Sequence, residues 1–100
     1  MIIRHAEAQA RIAAEIAHQR TISYERHVAG VEETGPLYRP FTDAAGDKIW
    51  IETEYHWDDP FETRDVRVIV LGLRTLNDGV VQVGESDGFI IAPDGSFVGE

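Results

Sequence analysis

The pattern of hydrophobic and polar positions changes its period once along this chain, near Pro36. Upstream the spacing is helical. At 100° per residue, Arg4, Glu7, Arg11, Glu15 and His18 fall on one face. Ile2, Ala6, Ala13, Ile16 and Ala17 gather on the opposite face, with Ile12 at its edge. The pattern predicts one amphipathic helix over residues 2–20. Pairs Glu7–Arg11 and Arg11–Glu15 have the spacing to bridge along it, for about 0.2–0.5 kcal/mol each. In the segment TISYERHV (21–28), Ile22, Tyr24 and Val28 fit either a continuation of the helix or one side of a short strand, and the β-branched and aromatic content leans slightly to strand. AGVEETGP (29–36) reads as a connection punctuated by Gly30 and Gly35-Pro36.

Downstream the period is two. LYRPF (37–41), the loop TDAAGD and KIWIETEYHW (48–57) predict a hairpin, with Pro40 placing the first arm at an edge or a bulge. DDP (58–60) ends the long arm. DVRVIVLGLR (65–74) is nearly continuous in apolar residues, the pattern of a central strand covered on both faces. Asp78-Gly79, Asp87-Gly88 and Asp94-Gly95 then predict three tight turns separating VVQV (80–83), FIIA (89–92) and SFV (96–98). The expected fold is α+β: one N-terminal amphipathic helix packed on an antiparallel meander sheet of four to six strands, forming a single domain over residues 1–100.

Composition narrows what such a domain does. One hundred residues suffice for one modest core. The absence of cysteine removes disulfides, thiol chemistry and Cys-based zinc sites. No apolar run approaches the roughly 20 residues that cross a bilayer. The opening MIIRHAEAQARIAAEI is charged throughout, unlike a signal peptide, so a cytoplasmic protein is expected.

Charge changes the picture most. Eighteen acids face nine Lys and Arg, a net charge of −9. Residues 32–65 carry ten acids against Arg39, Lys48 and Arg64, a net of −7, whereas residues 1–31 are at +1. Such a field repels nucleic-acid phosphates and anionic lipid, so neither direct nucleic-acid binding nor a membrane partner is expected. It would speed encounter with a basic protein or protein–nucleic-acid complex. Solubility alone is the plainer explanation of the same charge.

The densest chemistry lies in IWIETEYHWDD (49–59). In a regular strand Ile49, Ile51, Thr53, Tyr55 and Trp57 point one way, and Trp50, Glu52, Glu54, His56 and Asp58 the other. The second row reads either as a metal or acid–base site built on Glu54, His56 and Asp58, or as a solvated face in which His56 tempers its neighbours' repulsion. A single H-x-D without a second ligand cluster favours the solvated face. Nucleophile-elbow, zincin, phosphate-loop and dinucleotide-binding signatures are all missing. No catalytic residue, metal or cofactor is therefore assigned. Trp50 stands with the acids, as an interface anchor or under partial cover from the helix or the 58–64 loop.

These features predict a small acidic, non-catalytic binding protein that docks a basic surface. Its expected contacts are Trp50, Glu52, Glu54, His56, Asp58, Asp59 and Glu62. An immunity protein covering a toxin nuclease, or an anti-defence inhibitor that mimics nucleic-acid charge, would have this character. A helix with an acidic meander recurs among small bacterial and phage proteins, a likeness of composition rather than of motif. One alternative is a self-assembling structural protein or homodimer joined through a sheet edge or the helix. Another is an enzyme using the Glu52, Glu54, His56 and Asp58 row.

Overall fold

The fold was obtained as a computed structural model describing residues 2–59, 61–76 and 79–100. Pro60 and the Asp78 half of the Asp78-Gly79 turn lie outside the described residues. In chain order the elements are β1 (Ile2–Ile3), α1 (Ala6–Gln19), α2 (Tyr24–Ala29), β2 (Leu37–Thr42), β3 (Lys48–Trp57), β4 (Val66–Leu76) and β5 (Gly79–Ile91). β2 to β5 form a four-stranded antiparallel meander, and β1 adds two residues in parallel at the β5 edge, giving the order β1-β5-β4-β3-β2. The α+β class and the helix-on-meander architecture are those the periodicity predicts.

The expected helix over 2–20 is shorter, and its first residues are a strand. Ile2 and Ile3 pair with Gln82 and Val83. His5 then caps α1, its Nδ1 accepting the Ala8 amide at 3.0 Å. That acceptance leaves the ring proton on Nε2, which donates to Asp43 Oδ2 at 2.9 Å. Asp43 Oδ1 accepts the Asp47 amide, so one imidazole ties the helix start to the β2–β3 loop.

The helix also turns a different face inward than alanine content suggests. Ala8, Ile12, Glu15 and Gln19 are buried, and Ile16 is half-buried, whereas Ala6, Ala13 and Ala17 are exposed. Glu15 lies inside because an arginine of β2 and a glutamine one turn further along α1 satisfy its two oxygens. Arg39 Nε donates to Oε1 at 2.7 Å and Gln19 Nε2 donates to Oε2 at 2.8 Å. Tyr55 completes the chain, its hydroxyl donating to Gln19 Oε1 at 3.0 Å. Neither predicted bridge along the helix forms. Glu7 accepts the Ala44 amide, and the Arg11 guanidinium lies 4.7 Å from the Phe41 ring centroid.

Residues 24–29 are helical rather than extended. Ser23 caps α2 by accepting the Arg26 amide, and His27 reaches back from α2 to donate to the Gln19 carbonyl at 3.0 Å. Local capping and that C-terminal carbonyl outweigh a weak strand propensity. The predicted connection after it is a wide helical turn over Gly30–Thr34, closed by the Gly35 amide on the Gly30 carbonyl. Gly30 lies against Tyr55, where a Cβ would stand 2.6 Å from the ring.

The core fills the space between the helices and one face of the sheet. Ala8 and Ile12 pack with Ile49, Ile51, Val70 and Val83. Val66, Val68, Phe89 and Ile91 continue it beneath α2 with Tyr24, Val28, Tyr55 and Trp57. Pro40 sits on the edge strand β2, where a missing donor costs the sheet interior nothing.

Three short strands were expected after residue 79. One long strand is found, and Asp87-Gly88 is part of it. The pair is not a turn because Gly88 serves close approach instead: a Cβ there would stand 2.5 Å from the Val68 carbonyl. A bulge absorbs the extra residues, with Val70 opposite Asp87 and Gly72 already opposite Val83. Asp94-Gly95 does turn the chain, with Gly95 at φ 88° and the Ala92 amide on the Ser96 carbonyl. Residues 96–98 make a single bridge, Ile91 to Phe97, rather than a strand.

Candidate functional site

The second correction to the predicted sheet creates the site. β4 is central, but only one of its faces is covered. Val66, Val68 and Val70 lie under the helices, while Ile69, Leu71 and Leu73 point to the opposite side and stay half-buried. Among the described residues no helix packs on that side. Alternation along β3 puts Trp50, Glu52, Glu54 and His56 there as well.

Register then fixes the neighbours. Trp50 lies between Pro40 and Leu73, Glu52 between Tyr38 and Leu71, Glu54 beside Ile69, and His56 beside Arg67. At one end Tyr38, Trp50, Leu73, Thr75 and Val80 line a shallow, apolar concavity of about 340 Å³. Trp50 is half-buried, and the described residues lining the concavity with it come from the strands, not from a helix. The Lys48 ammonium lies 5.2 Å from its ring centroid, a cation held by the electron-rich face of the indole.

At the other end the acids sort themselves. His56 Nε2 and Glu54 Oε1 are 2.8 Å apart. Glu52 is held above the ordinary carboxylate range, chiefly because burial disfavours its charge and also because Glu54 is adjacent. Glu54 is held below that range by its contacts with Glu52 and then His56. The Tyr38 phenol is raised, first by the Glu52 carboxylate beside it and then by burial. Tyr38, Glu52, Glu54 and His56 thus form one polar row bordered by Leu71 and Ile69.

The remaining predicted residues lie apart from this row. Asp58 is at the end of β3, where Arg67 binds its Oδ1 through Nε at 3.0 Å and Nη2 at 2.6 Å. That pairing keeps Asp58 from converging with Glu54 and His56. Among the described residues no three His, Asp or Glu side chains are placed to hold a metal ion. Asp59 turns inward on its own loop, accepting the Phe61 and Glu62 amides, and Glu62 is exposed. Of the other arginines near the acidic segment, Arg39 goes to Glu15 and Arg64 covers Trp57 at 4.4 Å from its ring centroid.

No protein family, characterised protein or solved structure matches this chain. Among the described residues no helix is long and apolar enough to cross a membrane. The functional reading therefore rests on the face itself. Tyr38, Leu73, Thr75 and Val80 had no place in the sequence-predicted site. Their signal was present in the alternation of β2, β4 and β5, but a near-continuous apolar run on β4 does not reveal which side lacks a cover. The histidine–carboxylate pair His5–Asp43 resembles a catalytic dyad in composition only. Both of its ring nitrogens are already occupied, one by the Ala8 amide and one by Asp43.

Proposed function

We propose that this is a small acidic binding protein, without catalytic activity of its own, that docks a basic protein or protein–nucleic-acid complex on the open face of its sheet. One observation carries the reading: the uncovered face joins a tryptophan-centred apolar concavity to a row of carboxylates. Contiguous apolar surface on a protein of this size marks a contact site when polar groups border it. Carboxylates beside it select a cationic partner and speed its arrival. An inhibitor of the immunity or anti-defence kind, acting by charge mimicry, fits this chemistry. Trp50, Glu52, Glu54 and His56 would form the centre of the contact, with Asp58 at its rim. Asp59 and Glu62 would add long-range attraction from the neighbouring loop.

Capture at low salt from host lysate, followed by binding kinetics with the captured partner, tests the reading. Charge reversal of Glu52 and Glu54 to lysine should slow association. Kinetics unchanged in that variant and in Trp50→Ala would remove the open face from the interaction.

A further inference from the structure

We infer that the partner meets the open face with an amphipathic segment that sets an apolar side chain into the concavity beside Trp50 and an arginine against Glu52 and Glu54. This refinement rests on the binding role proposed above. The spacing comes from β3. Trp50 and Glu52 are same-face neighbours on one strand, about 7 Å apart. Residues i and i+2 of an extended segment repeat at that distance, and i and i+4 of a helix at about 6 Å. One segment can therefore fill both places at once.

Arginine fits the polar end better than lysine. Glu52 and Glu54 stand side by side on the open face, with His56 Nε2 2.8 Å from Glu54 Oε1, so two carboxyl groups border the same spot. A planar guanidinium can donate to both carboxylates together, whereas an ammonium is a point charge. The same charges argue against a second copy of this chain as occupant. Two copies face to face would each bring the Glu52–Glu54 pair and a net charge of −9 to the contact. Phosphate-bearing ligands meet the same repulsion.

The two tryptophans allow a direct test, because Trp50 lies on the open face and Trp57 on the helix face. The probe is the capped tripeptide acetyl-Leu-Ala-Arg-amide, titrated into labelled full-length protein while both indole N–H signals are followed by NMR. The expected result is a saturable shift of Trp50 with Trp57 unmoved, and no such shift with acetyl-Leu-Ala-Glu-amide. In the double variant E52Q/E54Q the arginine peptide should bind about tenfold more weakly, the loss of one to two charge-assisted hydrogen bonds. An unmoved Trp57 signal in that variant reports that it is folded.

An unmoved Trp50, an equal response to the glutamate peptide, or unchanged affinity in E52Q/E54Q would each overturn the inference. So would a Trp50 shift that follows protein concentration without peptide, which would name a second copy as the occupant. If the peptide fails while a captured basic partner binds wild type and is lost on charge reversal of Asp59 and Glu62, only this refinement falls. If no basic partner binds at all, the proposed function falls with it.

Discussion

Trp50 and Thr53 lie three residues apart on β3 and show how the face a residue points to decides what its substitution costs. Thr53 points under the helices, is fully buried, and its hydroxyl has no partner among the described residues. Replacing it by valine keeps the shape and removes a desolvated polar atom, so Thr53→Val should gain about 1 kcal/mol in urea denaturation. A loss of stability would contradict that. Trp50 points outward. Trp50→Ala should leave the urea midpoint nearly unchanged while accelerating dissociation of a captured partner at least tenfold. His27 adds a pH effect. Burial holds its imidazole below the ordinary histidine value of 6.5, against the opposing pull of the Gln19 carbonyl. Below pH 6.5 the unfolded chain takes up a proton that the folded chain resists, so stability falls as pH drops toward the folded value. Urea unfolding at pH 7.5 and 5.5 should show a larger loss in wild type than in His27→Phe, and parallel losses would remove His27 as the cause.

At the level of elements, the polar link between α1 and the sheet explains why the helix sits as it does. Arg39, Glu15, Gln19 and Tyr55 form an unbroken hydrogen-bonded chain from β2 through α1 to β3. Gln19→Leu would leave the Tyr55 hydroxyl and one Glu15 oxygen without partners and should cost about 1–3 kcal/mol, measurable as a lowered urea midpoint. This link is also where the sequence was hardest to read. Periodicity located the helix, the β2–β3 hairpin and the inward row from Ile49 to Trp57, because each follows a two- or 3.6-residue repeat. It did not orient α1, since Glu15 and Gln19 look like surface residues until Arg39 and Tyr55 arrive from more than twenty residues away. Asp87-Gly88 failed for a similar reason. A glycine required by a tight turn and a glycine required by the neighbouring Val68 carbonyl leave the same trace in one sequence. Of the site, the row on β3 was legible; the concavity needed the register of β2, β4 and β5.

Over the whole molecule the charge and the architecture act together. The helices, the buried polar chain and the core occupy one side of the sheet, leaving the other side half apolar and half acidic. A net charge of −9 supplies long-range attraction for a cationic partner, and the concavity beside Trp50 supplies desolvated contact once it arrives. Internal pairing limits the field: Asp58 is held by Arg67 and burial disfavours the charge of Glu52, so Glu54 and the exposed loop acids carry much of the charge on this side. The most direct measurement is the association rate of the captured partner as a function of salt, compared between wild type and E52K/E54K. The predicted result is a wild-type rate that falls steeply from low to physiological salt, and a variant rate at least tenfold slower at low salt and nearly flat. Equal rates with the same salt dependence in both proteins would contradict the claim that this face receives the partner.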